Sequence, residues 1–353
     1  MFFIKKFSKF VLFIIYVFLI SFISLEIIFS FMPVAEVFNL KKLDENKVLR
    51  YQENKSINYS LGKTFYKVIK KNTNNYGYVA DHNFIKTNEY KYAVIGDSYV
   101  EALQIKYEDS ISGRLVQKYG KDKVVSIGLS GASLPQYIIF SKYVIDEFKP
   151  KNLIIIIVAN DFDNSLCNVQ SKPGMFCYDE NFNFKLVDFK GYTFVHNILR
   201  KSSFLRYVVF NSKINLKDIF KLNFQNLNNS AYLSNTSFYK DKKTTKLSEK
   251  AIEEFIKEII SLKEYSNITI IIDGIRDNVY NKFYIQDSFL FKIRNYLIEK
   301  LILNNINFID LHNCFEKNYS QNKNKFEFVD DWHWNELGHK IAYESYNKDY
   351  DCN

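Results

Sequence analysis

The chain has 353 residues, of which 47% are hydrophobic and 25% charged, with a formal net charge of +9. That balance excludes a disordered chain, and the length allows one large core or two modest ones. The positive charge comes from lysines spread along the sequence rather than from one block, which argues against a nucleic-acid partner and points to anionic lipid or acidic glycan surfaces.

Residues 10–32, FVLFIIYVFLISFISLEIIFSFM, contain one charge, Glu26. At about 1.5 Å per residue such a helix crosses a hydrocarbon core of ~30 Å. Lys5, Lys6 and Lys9 precede it. The positive-inside rule therefore predicts a cytoplasmic tail (1–9), an uncleaved transmembrane anchor (10–32), and everything after Pro33 on the periplasmic or exterior side of the cytoplasmic membrane. Residues 33–88 are rich in Lys, Asn and Tyr and read as a juxtamembrane stalk and lead-in, with short helices expected near 41–52 and 61–71.

A domain spanning 89–353 follows. YKYAVIG is an apolar run ended by Gly96, SISGRLVQKYG has helical spacing and stops at Gly120, and DKVVSIGLSGAS repeats the strand-then-glycine pattern. LPQYIIFSKYVIDEFKP is a helix closed by Pro150, and NLIIIIVAND an aliphatic run typical of a strand buried on both faces. Residues 162 to about 245 interrupt the rhythm and read as an insertion. Its aromatics Phe176, Tyr178 and Phe182 would form a small core of their own or line a sugar site. Alternation resumes with a helix capped by Ser248, the strand NITIIIDGI, the helix DSFLFKIRNYLIEKLILNN, the strand INFIDLHNCF and the helix NELGHKIAYESYNK. Strands alternating with helices imply a parallel sheet. The expected fold is a three-layer α/β/α sandwich, flavodoxin-like, behind one transmembrane helix. Cys167 with Cys177, and Cys314 with Cys352, could pair in an oxidising compartment, or all four could be free buried thiols. None has metal-ligand spacing, and no metal or other cofactor is expected.

Parallel strands deliver their carboxyl ends to one edge of the sheet, so residues distant in sequence can meet there. Ser98 follows the first strand, Gly131 the second, and Asn160 with Asp161 the third. Near the C-terminus, FVDDWHWNELGHKIA places Asp330 and Asp331 just before His333. A serine hydroxyl becomes nucleophilic when a neutral imidazole takes its proton, and the imidazole needs a carboxylate on its other nitrogen. His333 and a neighbouring Asp suit those two roles. The N–H groups of Ser98 and Gly131 and the amide of Asn160 could serve as oxyanion donors. Asp97 and Asp161 read as turn buttresses. His339 reads as a structural helix-start residue, and His82, His196 and His312 as surface or packed histidines.

These blocks, GDSYVEA, GLSGAS, VAND and DDWHWNELGH, resemble in order the four marker blocks of the SGNH or GDSL-type hydrolase superfamily. The resemblance covers residues 92–342, with 162–245 unmatched. It implies a metal-free serine esterase or O-acyltransferase working through an acyl-serine. Many members place the triad Asp three residues before His, which selects Asp330. Members similar to alginate-acetylating enzymes, with a DxHWN form, place it two before, which selects Asp331; Trp334 and Asn335 match that form. The expected substrate is an O-acylated, in particular O-acetylated, cell-envelope glycan. For transfer, a multi-spanning membrane protein would deliver the acyl group. The alternatives are a lipid-directed lysophospholipase or thioesterase, and a non-catalytic glycan-binding or assembly protein on the same fold.

Overall fold

Aliphatic runs and amphipathic stretches alternate along most of the chain. In the computed structural model, which describes residues 2–41, 43, 48–86, 89–214, 240–281, 288–350 and 352, they become regular elements. Helix α1 (Phe2–Ser30) is followed by the paired strands β1 (Ser56–Leu61) and β2 (Lys67–Asn72). Then come β3 (Tyr92–Gly96), the single turn α2 (Ser98–Glu101), α3 (Ile111–Tyr119), β4 (Val124–Gly128), α4 (Leu134–Phe148), β5 (Asn152–Ile157) and the short α5 (Asp161–Asn164). A small antiparallel pair, β6 (Phe176–Tyr178) with β7 (Phe184–Leu186), precedes α6 (Phe194–Lys201) and α7 (Ser203–Arg206), which runs into a π-helical turn at Tyr207–Asn211. The chain continues through α8 (Lys242–Leu262), β8 (Asn267–Ile272), α9 (Arg276–Asn281), α10 (Phe289–Leu303), β9 (Asn307–Asp310), α11 (Leu311–Asn322) and α12 (Glu336–Tyr346).

Two compact units result. One takes the described residues within 1–37, 57–70 and 192–229, the other those within 38–56, 71–191 and 230–353. The expected stalk at 33–88 is thus shared between the units. So is the insertion, whose first part, to residue 191, belongs with the sheet and whose described residues 192–214 belong with α1; residues 215–239 lie outside the described residues.

In the larger unit five parallel strands are ordered β4-β3-β5-β8-β9. Successive strand side chains point to opposite faces. Ala93, Ile95, Leu153, Ile155, Ile270 and Ile272 pack with the apolar sides of α4, α8 and α10. Val94, Ile154, Ile156 and Ile271 pack with α3, α11 and α12. This is the three-layer α/β/α sandwich, with the strand order of the flavodoxin-like class. Tyr178 and Phe182 pack with Leu166 and Ala251 as a local core.

Three local expectations differ. No helix occupies the described parts of 41–52 and 61–71: residues 56–61 and 67–72 are strands, consistent with the β-branched pair Val68 and Ile69. Helix α8 begins earlier than expected, at Lys242, because Asp241 caps it by accepting the Thr244 N–H at 2.7 Å, and Ser248 is buried within it. Strand β9 stops at Asp310, whose carboxylate accepts the His312 N–H at 2.8 Å and starts α11. Both cysteine pairs are disulfides, with Cα separations of 5.1 Å for Cys167–Cys177 and 4.4 Å for Cys314–Cys352.

In the smaller unit α1 carries a 22-residue apolar stretch, Lys9–Ser30, long enough by composition and length to cross a membrane. Asn211, in the unit's third segment, is buried, accepting from the Ala35 N–H at 2.9 Å and donating to Ser60 Oγ at 2.8 Å. These bonds join the chain leaving α1 to the β1 strand and the turn after α7.

Candidate active site

Strand order reverses direction of growth between β3 and β5, and the crevice at the carboxyl ends of such strands is where open α/β sheets hold their ligands. Ser98 is the first residue of α2, immediately beyond β3. Asp97 caps that turn, accepting the Tyr99 N–H at 2.9 Å. Gly131 lies beyond β4 with φ +81°, and an added Cβ would run into the Lys172 side chain. Asn160 lies beyond β5, at the start of α5. His333 comes from the segment before α12, whose first turn is fixed by Asn335 Oδ1 accepting from Leu337 N at 3.0 Å and Gly338 N at 3.1 Å.

These elements bring three side chains into line. His333 Nε2 is 2.8 Å from Ser98 Oγ, while His333 Nδ1 is hydrogen-bonded to Asp331 Oδ1. Asp331 Oδ1 also accepts the His333 N–H at 3.0 Å, so one buried carboxylate holds both the backbone and the ring. Asp330 is exposed, and the carboxylate on the imidazole is that of Asp331. With the Nδ1 proton directed at Asp331, Nε2 is free to accept the serine proton. Ser98 Oγ also lies 3.2 Å from Asp97 Oδ2, a longer contact than that to His333. Burial pushes Asp97 up to about 6, against the Tyr99 N–H bond that favours its charged form. Gln104 Nε2 lies 3.0 Å from His333 Nδ1.

Beyond the carboxyl ends of β3, β4 and β5 stand the Ser98 N–H, the Gly131 N–H and the Asn160 amide, none of which has a protein partner among the described residues. Two residues that sequence patterns did not single out surround the second of these donors. Glu101, buried in α2, accepts from both the N–H (3.1 Å) and the hydroxyl of Ser130, and from Tyr51 OH at 2.5 Å. Lys172 Nζ donates to the Ser130 carbonyl. The Ser130 carbonyl and the Gly131 N–H belong to one planar peptide, so Lys172 on the carbonyl orients the N–H, while Glu101 holds the N–H and hydroxyl of Ser130 just before it. A cation on the carbonyl also polarises that peptide and strengthens its N–H as a donor. Burial pushes the Lys172 ammonium below the usual lysine range, with Glu101 and Asp97 opposing, and pushes Glu101 above the usual carboxylate range.

Arg276 is the third residue the sequence did not mark. Fully buried, it pairs with Asp273 and Glu327, each at 3.2 Å, and donates to the Trp332 carbonyl at 2.8 Å and to Tyr99 OH at 2.6 Å. Trp332 adjoins His333 and Tyr99 adjoins Ser98, so one guanidinium ties together the two segments that carry Ser98 and His333. Trp334 Nε1 donates to Asp273 Oδ1 at 2.9 Å from the same segment.

The other acids and histidines serve the scaffold. Asp161 accepts the Val158 N–H at 2.7 Å and burial raises its carboxyl well above the usual range. His339 is buried against Trp334, its ring nitrogen 3.4 Å from Ile111 N, and burial lowers it to about 3. His312 accepts from Ile275 N at 3.2 Å and is lowered to about 4. His82 lies 3.2 Å from the Val124 carbonyl, and His196 is exposed on α6. Among the described residues no cluster of three or more His, Cys, Asp or Glu side chains could hold a metal ion.

The chain matches no family model and no curated protein sequence. It is similar to solved structures only distantly. A member of the lipolytic protein G-D-S-L family from Veillonella parvula aligns with 73% of this chain and 96% of its own, at 11% identity and a TM-score of 0.39. An alpha/beta hydrolase enzyme from the metagenome of Lake Arreo aligns over 73% and 94%, at 9% identity and a TM-score of 0.40. An acetyl xylan esterase aligns over 73% and 98%, at 12% identity and a TM-score of 0.37. Likenesses this distant decide nothing about activity, which rests on the geometry of Ser98, His333 and Asp331.

Proposed function

We propose that the chain is a membrane-anchored serine esterase or O-acyltransferase that handles ester-linked acyl groups, in particular O-acetyl groups, on a glycan outside the cytoplasm. The observation that carries the catalytic part is the Ser98–His333–Asp331 line, with Ser98 Oγ 2.8 Å from the base and the carboxylate on the opposite ring nitrogen.

In the first half-reaction Ser98 Oγ attacks the ester carbonyl carbon as its proton passes to His333 Nε2. The imidazolium is stabilised by Asp331, and the carbonyl oxygen, now an oxyanion, is met by the Ser98 and Gly131 N–H groups and the Asn160 amide. Collapse breaks the ester C–O bond, and His333 returns the proton to the departing alkoxide, leaving an acyl-serine. Water, or a sugar hydroxyl, then gives its proton to His333 and attacks the acyl carbon; the acyl C–Oγ bond breaks and His333 returns the proton to Ser98 Oγ, which restores the free serine. Hydrolysis and transfer differ only in that acceptor. For transfer the acyl donor would be supplied by a multi-spanning membrane protein, since soluble coenzymes are not expected outside the cytoplasm.

The anchor reading is supported by the apolar stretch Lys9–Ser30 and the lysines before it. The glycan reading is supported by the spacing Asp331, His333, Trp334, Asn335. Purified full-length protein in detergent should release acetate from a chromogenic acetyl ester and from O-acetylated polysaccharide, and Ser98→Ala should abolish both. Activity on the chromogenic ester alone, with none on any acetylated glycan and robust turnover of lysophospholipid, would replace the glycan reading with a lipid-directed one.

A further inference from the structure

Helix α6 has an amphipathic sequence whose apolar side is exposed among the described residues. Phe194, Val195 and Ile198 are exposed by 78%, 72% and 43%. At about 100° per residue they fall on one arc, with Lys201 on its flank, while His196 and Arg200 fall on the opposite side and Asn197 between. Thr193 caps the helix through its hydroxyl, so the helix is a formed element and not a frayed end. A soluble surface does not ordinarily leave three neighbouring large apolar side chains this bare.

Its position within the smaller unit names what covers it. One residue past α6, the chain is fastened to α1. Glu26 accepts from Ser202 Oγ at 2.6 Å, Ser203 N at 2.7 Å and Phe204 N at 3.1 Å. The Phe204 ring packs on Phe22 and Phe29 at 5.8 and 5.7 Å, and Phe29 stacks on Tyr207 at 4.2 Å. Glu26 is the one charged residue within 10–32, and here its carboxylate is satisfied by the first turn of α7 rather than left to lipid. It lies four residues before the end of α1, which at ~1.5 Å per residue is about 6 Å inside that end. The junction of α6 and α7 therefore stands level with the last turns of the membrane-crossing helix. Beside it, Ile27, Ile28, Phe31 and Met32 of α1 and its exit are equally bare.

We propose that α6 is an interfacial helix, lying in the head-group boundary of the outer leaflet with Phe194, Val195 and Ile198 in the acyl region. The partner is a lipid surface. Arg200 and Lys201, at its carboxyl end, suit the phosphate level of an anionic leaflet. Arg200 is braced there, its guanidinium over the Tyr192 ring at 4.3 Å. The helix would thus hold the segment after the anchor flat against the membrane, a second contact beside the span itself. This rests on the anchor reading of α1 and is independent of the catalytic one.

The four cysteines are paired in disulfides, so a single introduced cysteine can be labelled selectively in the full chain. An environment-sensitive fluorophore placed by Val195→Cys, Asn197→Cys or Val17→Cys is reconstituted in vesicles of phosphatidylcholine and phosphatidylglycerol. The Val17 probe should be quenched best by lipid carrying a nitroxide deep in the acyl chain, which reports the anchor alone. The Val195 probe should be quenched by a shallow nitroxide and be several-fold less accessible to aqueous iodide than the Asn197 probe. If the Val17 probe is quenched by deep lipid while Val195 is open to iodide and indifferent to shallow lipid, the interfacial helix is refuted and the anchor stands. Failure of the Val17 probe overturns the anchor and the helix together. Shielding of Val195 without lipid quenching, relieved on diluting the protein in lipid, would show that a second copy covers the face and would likewise refute the proposal.

Discussion

His333 has different neighbours on its two ring nitrogens, and the chemistry depends on that asymmetry. Asp331 on Nδ1 fixes the tautomer that leaves Nε2 basic toward Ser98. Asp331→Asn should therefore lower kcat by about 10⁴-fold, the scale of losing an orienting carboxylate, whereas Asp330→Asn, at an exposed position, should change it little. Steady-state kinetics on a chromogenic ester separate the two, and the reverse ranking would move the role to Asp330. Lys172 acts one peptide away. Its cation on the Ser130 carbonyl supports the Gly131 N–H, so Lys172→Met should lower kcat about 10-fold with KM nearly unchanged, the pattern of an interaction strengthened in the transition state. The pH sign follows from its charge. Lys172 is cationic below its lowered pKa and neutral above it, with Glu101 and Asp97 the carboxylates that oppose the lowering. Wild-type kcat should decline at alkaline pH, beginning below the ordinary lysine range, and Lys172→Met should lack that decline. A variant with wild-type kcat and the same alkaline limb would show that Lys172 only fills space.

Elements place these residues, and Arg276 links the elements. It sits on α9 yet joins the turn after β3 to the segment before α12 through Tyr99 and Trp332. Removing one member of a buried charge network leaves the others uncompensated, at about 3–5 kcal/mol. Arg276→Met strands Asp273 and Glu327, so denaturant unfolding should show a loss of that order, accompanied by a fall in kcat as His333 loses its fixed approach to Ser98. Unchanged stability would mean the two acids are held by other groups. The sheet strands β3, β4, β5 and β8 were legible as aliphatic runs ended by glycine or polar residues, because strands buried on both faces admit little else. Ser98, Gly131 and Asn160 were legible for the same reason, each standing where such a run stops. Lys172 and Arg276 were not. Lys172 is one of 48 Lys and Arg residues and lies in a stretch without periodicity, and its partner at Ser130 is 42 positions away. Long-range pairing of this kind leaves no local mark. The β1 and β2 strands were missed because their short polar runs carry propensities that helix and strand share, and pairing with each other settled the matter.

At the scale of the whole chain, sequence order hides membership. The described residues within 38–56 and 71–86 belong with the sheet while 57–70 and 192–214 belong with α1, a partition that hydropathy along the chain cannot express. The apolar stretch itself was plain, 22 residues long and apolar enough to cross a membrane. A reporter active only outside the cytoplasm, fused after residue 353, should be active; activity of a cytoplasm-only reporter at the same place would reverse the orientation. The covalent step remains the most direct test of the catalytic reading. A fluorophosphonate probe applied to the purified full-length protein, followed by peptide mass mapping, should place one label on the peptide VIGDSYVEAL at Ser98, with His333→Ala suppressing it and Ser98→Ala abolishing it. A folded wild-type protein that takes no label, or one whose label survives Ser98→Ala, would contradict the assignment of Ser98 as the nucleophile.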